Sequence, residues 1–330
     1  AKKINIVQAI NMALHDAMEL DSSVVVLGED IADREGGGVF KCTAGLSTKF
    51  GTGRVKSTPI AEQAIVGAAV GGALAGLRPV AEIMLMNFTT VAMDQIVNHA
   101  AKLRFMTGGQ THVPLVIRTT TGAGFGTGGQ HADYLEAWFA HTAGLKVVAP
   151  STPADAYGLM LSCIFDDDPC IFIENLPLYF VPGEAPVPGE RVPIGKAKVV
   201  QEGSDITLIS YSKTLHEVIA VAKSLAKEGI SAEVIDLRTL WPWDRDAVLD
   251  SAARTGRLLV VHEAIQAAGF GAEVAATAAE QLGCRVARLG APRIPVGYAP
   301  VLEAASRISP AMIADAARAL LTDKPARAPK

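Results

Sequence analysis

The sequence predicts an α/β protein of two domains: a parallel, doubly wound domain followed by a smaller domain that repeats the α/β pattern. Short buried strands alternate with stretches of helical length along almost the whole chain, which is the pattern of parallel sheets with crossover helices. The chain has 330 residues, 49% of them hydrophobic, which allows two domains with large cores. A Pro/Gly-rich stretch, residues 180–193, divides the series, so we expect domains at 1–179 and 194–330.

In the first domain, apolar runs of strand length alternate with helical patterns. We expect strands at 23–27, 80–85, 113–118, 145–149 and 170–174, and helices at 1–20, 64–77, 90–105 and 153–165. The Gly-rich stretches 33–52 and 119–130 predict loops.

The second domain repeats this alternation. We expect strands at 206–211, 232–237, 258–262 and 285–289, and helices at 214–227, 245–255, 271–282 and 310–321. Residues 323–330 are interpreted as a frayed basic tail. No catalytic constellation is evident here: His262 and Glu263 at a strand end are the best candidates, and a subunit-interface role is favoured for them.

Composition excludes several classes of partner. The formal net charge of −4 indicates no polyanionic partner. Four scattered cysteines form no CxxC pair, so we expect reduced thiols and a cytoplasmic protein. The first helix, with Asn5 and Gln8 as a capping box, differs from a secretory signal. The apolar run 64–77 is too short to span a bilayer, so we expect neither nucleic acid nor membrane as a partner.

Glu62 is the carboxylate around which the first domain is organised. It lies between an extended segment, in which Pro59 disfavours helix at Thr58, and the apolar run 64–77. A carboxyl group at the start of such a helix has few polar neighbours, which raises its pKa and lets it share a proton with a ligand nitrogen. A first-turn Glu also interacts favourably with the helix dipole, so position alone leaves a structural role open.

Two further candidates follow strands or loops. Glu29 follows a buried strand, and the carboxyl ends of parallel strands gather active-site residues, although a solvated turn acid fits equally well. His131 follows a Gly-rich loop, where a lone histidine is commonly structural. Within that loop, residues 124–129 match GxGxxG. Helical patterning resumes only near Tyr134, so we reject a dinucleotide fingerprint and expect the glycines to let the loop fold closely against a ligand or a neighbouring chain.

A resemblance to a known family is carried by long, ordered motifs. These are GEDIA at 28–32, TPIAEQAIVGAAVGGALAGLRPVAEI at 58–83, NFTTVAMDQIVNHAAKLRFM at 87–106, GGQHADYLEAWFAHTAGLKVVAPSTPADAYGL at 128–159 and DDDPCIFIEN at 166–175. The chain resembles, over nearly its whole length, the β subunit of thiamine-diphosphate-dependent E1 components of 2-oxo acid dehydrogenases. That family acts on pyruvate, branched-chain 2-oxo acids or acetoin and has transketolase-like domains.

The resemblance implies roles for individual residues of the first domain. Glu62 would hydrogen-bond the N1′ nitrogen of the thiamine pyrimidine, so that the 4′-amino group opposite can act as a base. Phe88 would pack on the pyrimidine face, with Ile60 and Met84 lining the same pocket and Glu29 nearby. Plain core packing would look the same in the sequence for the three apolar residues.

The same resemblance places His131 opposite the thiazolium ring and the substrate, where it would assist substrate binding, protonation or acyl transfer. Here the sequence departs from the family. Ala132 and Asp133 stand where relatives commonly carry Ser and Gln, which puts the substrate class and the orientation of the histidine in doubt.

The chain lacks the Gly-Asp-Gly and distal Asn that hold Mg²⁺ and the diphosphate in this class of enzyme, and it has no Walker-type loop. The resemblance therefore implies half an active site, completed by an E1 α subunit in an α2β2 heterotetramer, with an E2 dihydrolipoyl acyltransferase as a further partner. A split transketolase-like carboligase without a lipoyl partner, and a non-catalytic scaffold subunit, remain alternatives.

The resemblance also implies a potassium site. Its ligands would be backbone carbonyls at Leu115, Cys163 and Ile164, together with Asp166 and Asp168. Three consecutive acids at a helix C-terminus oppose the helix dipole, and a bound cation with hard oxygen ligands would resolve that opposition.

Overall fold

The computed structural model describes residues 3–322, which form two compact units. The first unit comprises the chain up to Thr121 and residues 138–194, and the second comprises residues 122–137 and the chain from Gly195. This division differs from the predicted domains in two places. Residues 122–137 cluster with the second unit, and residues 180–193 cluster with the first unit, where a free linker was expected.

The first unit contains the parallel sheet that we expected. The strands up to residue 194 are β1 (Lys3–Ile4), β2 (Val24–Glu29), β3 (Val55–Thr58), β4 (Arg78–Leu85), β5 (Val116–Thr121), β6 (Lys146–Val148), β7 (Cys170–Asn175) and β8 (Gly183–Glu184). Six of them lie side by side in the order β6-β7-β5-β4-β2-β3, each pair parallel. Because parallel strands end at the same edge, their carboxyl ends define one face for a site.

Helices cover this sheet. They are α1 (Ile6–Leu20), α2 (Leu46–Phe50), α3 (Glu62–Leu74), α4 (Leu103–Met106), α5 (Glu136–Ala140) and α6 (Pro153–Ile164). The predicted capping box of α1 is confirmed, since Asn5 and Gln8 each accept a hydrogen bond from the other's backbone N–H. Apolar residues of α1 and α6 share the core of the unit with β2, β4 and β7.

The helix predicted over 90–105 is wrong as a single α-helix. A 3-10 helix runs over Met86–Ala92, a π-helix over Gln95–Ala100 and an α-helix over Leu103–Met106. The apolar spacing of this stretch does not distinguish hydrogen bonds to the third, fourth or fifth residue. Both irregular segments pack on α3, so tertiary contact decides the winding.

The expected linker is partly built into the first unit. β8 pairs antiparallel with β1, with Lys3 opposite Glu184. Val192 donates its backbone N–H to Gly158 of α6 at 3.1 Å, and a Cβ at Gly158 would lie 2.6 Å from the Val192 side chain. Glycine at that position is therefore needed to let the stretch lie on the helix.

The second unit has its own sheet. The strands from residue 195 onward are β9 (Lys198–Gln201), β10 (Ile206–Ser210), β11 (Ala232–Asp236), β12 (Thr239–Trp241), β13 (Arg257–Ile265) and β14 (Arg285–Ala291). Five of them form the order β14-β13-β10-β11-β9, parallel except for β9, which is antiparallel to β11. The helices are α7 (Ser212–Ala226), α8 (Arg245–Thr255), α9 (Gly271–Leu282), α10 (Pro300–Ala305) and α11 (Pro310–Leu321).

Sequence periodicity predicted this unit well. The predicted helices 245–255, 271–282 and 310–321 are confirmed residue for residue, and apolar side chains of α7 and α11 pack on the sheet. The sequence missed β9, β12 and α10, which are short or at an edge. The basic tail predicted at residues 323–330 lies outside the described residues.

All four cysteines are free thiols, and Cys42, Cys163 and Cys170 are buried. Among residues 3–322, none of the helices combines the length and the apolar character needed to cross a membrane.

Candidate functional site

Two carboxylates of the first unit lie close to each other at the carboxyl ends of its strands. Glu29 is the last residue of β2, and the parallel register places it opposite Thr58, the last residue of β3. Pro59 then separates that strand from Glu62, which begins α3. Only 9% of Glu62 is exposed. The strand end and the helix start thus bring to one edge of the sheet the two acids that the sequence predicted for the site.

The electrostatics of this edge are dominated by acids. The pKa of Glu29 is raised, first by burial and then by the charge of Glu62, with smaller contributions from Asp30 and Glu82. Within residues 3–322, the Glu62 carboxylate forms no hydrogen bond or ion pair. A nearly buried carboxyl group without a partner can bind a ligand group that forms a hydrogen bond with it.

The apolar residues predicted for the pocket differ in exposure. Ile60, between Pro59 and Glu62, is 84% exposed, so it is not part of the core of this chain. Met84 in β4 and Phe88 in the 3-10 helix after that strand are half-buried. The plain core-packing alternative is therefore wrong for Ile60, whose side chain is available to a ligand or a partner.

The same sheet contains a buried ion cluster. The guanidinium of Arg118 in β5 donates to both carboxylate oxygens of Glu174 in β7, at 2.7 and 2.8 Å, and to Glu82 in β4 at 2.6 Å. The Tyr179 hydroxyl also donates to Glu174. Burial alone would lower the pKa of Arg118, but the Glu174 and Glu82 carboxylates raise it well above its usual value. Glu82 also acts on the pKa of Glu29, so the cluster reaches the candidate site.

His131 belongs to the second compact unit, whereas Glu29, Glu62 and Phe88 belong to the first. The histidine is half-buried, and its backbone N–H donates to the Gly128 carbonyl at 3.2 Å. From residue 122 to residue 135 the backbone forms neither helix nor strand. The helix opening that a GxGxxG fingerprint requires is therefore absent from this described stretch, as the sequence predicted.

A second buried polar group lies close to His131 in the chain. Glu136 is 0% exposed, and one of its oxygens accepts a hydrogen bond from the Tyr211 hydroxyl at 2.8 Å. Burial raises the pKa of Glu136 to about 8, and the Tyr211 hydrogen bond opposes that shift only in part. Tyr211 stacks in turn on His262, with ring centroids 6.2 Å apart.

His262 is also 0% exposed. Its Nδ1 lies 3.1 Å from the Ala264 carbonyl, which fixes Nδ1–H as the donor, and burial lowers its pKa to about 4. The subunit-interface role predicted for His262 is therefore wrong, since its side chain is enclosed by its own unit. Its neighbour Glu263 accepts a hydrogen bond from the Ala123 N–H at 2.8 Å.

The carbonyls expected to bind potassium already accept hydrogen bonds. Leu115 accepts one from the Cys170 N–H at 2.8 Å, and Cys163 accepts those of the backbone N–H groups at the end of α6. Ile164 accepts one from Arg78 at 3.2 Å.

Protein cations also neutralise the three acids that suggested a bound ion. Lys146 Nζ lies 2.6 Å from both oxygens of Asp166 and 3.4 Å from Asp168. Arg104 donates to Asp168 at 2.6 Å, and Arg78 donates to Asp167 at 3.0 Å. These side chains remove the electrostatic reason for expecting an additional cation. Among residues 3–322 no group of three or more His, Cys, Asp or Glu side chains could hold a metal ion.

Sequence reasoning missed the buried ion cluster, although a signal was available. The predicted strands 80–85, 113–118 and 170–174 are otherwise uncharged, and each carries one charged residue: Glu82, Arg118 and Glu174. Charges in buried strands are found almost only when they are paired. Single charges of both signs on these strands could therefore have predicted a buried ion cluster, although not which strands are neighbours. Glu136 had no such signal, because its partner Tyr211 is distant in the sequence.

Comparison with known proteins assigns both units. The family described as "Transketolase, pyrimidine binding domain" matches residues 2–181, and the one described as "Transketolase, C-terminal domain" matches residues 195–313. A solved structure, "Split gene transketolase, inactive beta4 tetramer", superposes with a TM-score of 0.81 over 98% of this chain and 99% of that chain. Its sequence identity is 23%, so this likeness concerns the fold.

Relatives of higher identity span almost the full chain. The acetoin:2,6-dichlorophenolindophenol oxidoreductase subunit beta of Cupriavidus necator is 44% identical, covering 96% of this chain and 97% of the relative. The 2-oxoisovalerate dehydrogenase subunit beta of Bacillus subtilis is 42% identical, with coverage of 95% and 97%. A mitochondrial pyruvate dehydrogenase E1 component subunit beta-2 of Oryza sativa is also 42% identical, with coverage of 92% and 82%. The chain therefore belongs to the transketolase-like family of E1 β subunits of 2-oxo acid and acetoin dehydrogenases.

Proposed function

We propose that this chain is the β subunit of a thiamine-diphosphate-dependent E1 enzyme that works with an α subunit. The reaction is the decarboxylation of a 2-oxo acid, or the cleavage of acetoin, followed by reductive acylation of the lipoyl group of an E2 acyltransferase. The single observation that carries this proposal is Glu62: an almost buried carboxyl group at the start of α3, without a partner among residues 3–322 and close to Glu29.

The residues of the first unit fit a nitrogen-containing ring. The unpartnered carboxyl of Glu62 could form a hydrogen bond with a ring nitrogen, and a second acid, Glu29, lies close to it. The exposed Ile60 and the half-buried Phe88 provide apolar surface on either side of Glu62 in the sequence. In this arrangement Glu62 would orient and polarise the pyrimidine, while Phe88, Ile60 and Met84 would exclude water from it.

Thiamine diphosphate, when bound, supplies the electron sink that no side chain can provide for an acyl carbanion. The chain contributes proton control. Glu62 holds a proton at the pyrimidine N1′ position, and His131 is proposed to bind the substrate or to move protons at the reacting carbon. Glu29 lies at the same edge, where burial and the charge of Glu62 raise its pKa.

The remaining half of the cofactor site is assigned to the α subunit. The sequence has no Gly-Asp-Gly with a distal Asn, so the diphosphate and its Mg²⁺ would be held by the partner. An α2β2 heterotetramer with shared sites follows as the proposed assembly, and the isolated β subunit is expected to be inactive.

The test is an assay of the assembled complex. This chain is co-expressed with the α subunit encoded beside it, and the purified complex is assayed with pyruvate, branched-chain 2-oxo acids and acetoin, with thiamine diphosphate and Mg²⁺ present. Activity is expected with at least one of these substrates and only in the presence of both subunits. Activity of the β subunit alone would contradict the shared site.

The role of Glu62 is tested with Glu62→Gln in the same complex. Loss of a proton held against the ring is expected to lower the rate by about 100-fold or more, while thiamine diphosphate binding, measured by calorimetry, weakens much less. Glu190→Gln, an exposed position of the same unit, is the matched control and should retain full activity. Full activity of Glu62→Gln would overturn the proposal.

A second candidate function is a split transketolase-like carboligase without a lipoyl partner. The observation that favours it is the pair Ala132 and Asp133 after His131, where family members commonly carry Ser and Gln. The two functions are separated by adding lipoylated E2 domain to the complex. Carbon–carbon bond formation without acylation of the lipoyl group would support the carboligase.

A further inference from the structure

The Gly-rich segment before His131, residues 122–130, has to be held by groups outside itself. It lies between the end of β5 and the start of α5 and forms no regular secondary structure. Four of its glycines have positive φ: Gly122 at 116°, Gly124 at 130°, Gly126 at 65° and Gly128 at 74°. Such a backbone makes no ladder or helix hydrogen bonds of its own, so its N–H groups need other acceptors.

Two carboxylates of the second unit supply those acceptors. One oxygen of Glu303 in α10 accepts hydrogen bonds from the Gly124 N–H at 2.6 Å and the Gly126 N–H at 3.1 Å. Glu263, at the end of β13, accepts one from the Ala123 N–H at 2.8 Å. Glu303 is 7% exposed. A nearly buried carboxylate that receives two backbone N–H groups in succession forms charge-assisted bonds with little competition from water.

The C-terminal end of the segment, at Gly128 and Gly129, is held by close packing against Tyr298 and Pro295. A Cβ on Gly128 would lie 2.3 to 2.6 Å from ring carbons of Tyr298, and one on Gly129 would lie 3.3 Å from Pro295. Only glycine allows this approach. The His131 N–H donates to the Gly128 carbonyl, so the position of the Gly128 backbone directly affects that of the His131 backbone.

We propose that Glu303, assisted by Glu263, is a positioning residue that clamps residues 122–130 and thereby sets the place of His131 in the reaction. Neither carboxylate contacts the reacting atoms in this view. The clamp explains why the segment is rich in glycine: the backbone has to approach two carboxylates and an aromatic ring. The role given to His131 rests on the proposed function, whereas the clamp on residues 122–130 does not depend on it.

The first arm of the test measures the clamp by a method that does not depend on enzyme activity. Hydrogen exchange of residues 122–130 is followed by mass spectrometry in the complex with the α subunit, for wild type, Glu303→Gln and Glu303→Asp. Glu303→Gln is expected to speed exchange of this segment by at least tenfold, because a neutral acceptor holds the two N–H groups more weakly. Glu280→Gln, exposed on α9, is the matched control and should leave exchange unchanged. Unchanged exchange in Glu303→Gln would overturn the clamp.

The second arm asks whether Glu303 acts through His131. In the active complex, Glu303→Gln is expected to lower the rate at least tenfold in the wild-type background, but to have no further effect when combined with His131→Ala. Glu303→Asp, which keeps the charge, should recover part of the rate. A loss that simply adds to that of His131→Ala, or a His131→Ala variant with full activity, would overturn the positioning role. A wild-type complex inactive with every substrate would instead reject the proposed function, and the exchange arm would still decide the clamp.

Discussion

The two units bury ionisable groups in opposite ways. In the first unit, Arg118 lies between Glu82 and Glu174, and the positive charge of the guanidinium is matched by carboxylates on both neighbouring strands. In the second unit, Glu136 is bonded to the neutral Tyr211 hydroxyl, and Nδ1 of the buried His262 faces only a carbonyl. The first arrangement favours the charged form of Arg118, and the second favours the neutral forms of Glu136 and His262.

The difference shows that burial alone does not decide a protonation state. Burial opposes charge in both places. At Arg118 the carboxylates at hydrogen-bond distance outweigh burial, whereas burial still raises the pKa of Glu174 against the opposing effect of Arg118. The pKa of Arg118 is thus raised well above its usual value. The pKa of Glu136 rises to about 8 and that of His262 falls to about 4. We therefore expect the stability of the second unit to depend on pH near neutrality more strongly than that of the first.

Arg118→Met is expected to have the largest effect. The change leaves Glu82 and Glu174 buried without their counter-charge, and breaking a buried pair in this way costs about 3 to 5 kcal/mol. Urea denaturation, with hydrogen exchange read on peptides of the first unit, measures it. Arg104→Met, which removes an exposed ion pair with Asp168, is the control and should cost much less. Equal losses in the two variants would mean that the cluster is not held by its charges.

Glu136→Gln should produce the next largest effect, which is a change in how the free energy of unfolding depends on pH. The raised pKa means that folded Glu136 keeps a proton up to about pH 8, whereas the unfolded chain loses it near 4.5. Stability is therefore lost as pH rises through this window, at up to about 1.4 kcal/mol per pH unit. The amide of glutamine keeps the acceptor for Tyr211 and should remove the slope. A wild-type slope in Glu136→Gln, measured by denaturation from pH 5 to 8, would reject this account.

His262→Asn should give the smallest of the three effects and act at lower pH. Folded His262 stays neutral down to about pH 4, whereas the unfolded chain binds a proton near 6.5. Its contribution to stability is present above 6.5 and declines as the pH falls towards 4. The variant is expected to be less stable at pH 7, because a cavity remains, but to lose less on acidification. Denaturation at pH 7 measures the cost of the cavity, and the change in stability between pH 7 and pH 5 measures the contribution of His262 ionisation. An equal loss of stability on acidification in the wild type and the variant would contradict this expectation.

Much of the fold could be predicted because it follows from local patterning. The helices 245–255, 271–282 and 310–321 carry clear apolar periodicity and cap residues, and their bounds are confirmed. The region 90–105 carried the same kind of periodicity but divides into 3-10, π and α turns. Its winding depends on contact with α3, which no local pattern contains.

The candidate site divides in the same way. Glu62 and Glu29 could be found from the sequence because each stands where a strand ends or a helix begins. The Gly-rich segment was predicted as a loop that folds closely against something, but not as one held by Glu303, which is distant in the sequence. The roles of Glu62, Phe88 and His131 in catalysis stay predictions.

By itself, the sequence determined the succession of strands and helices, the family, and the residues placed at strand ends, because these depend on neighbours a few positions apart. Tertiary structure alone decided which charges are matched, which buried acids become neutral and what holds the segment before His131. Those properties depend on groups brought together from distant parts of the chain, and the free energy of a buried charge is set by what lies within a few ångströms of it.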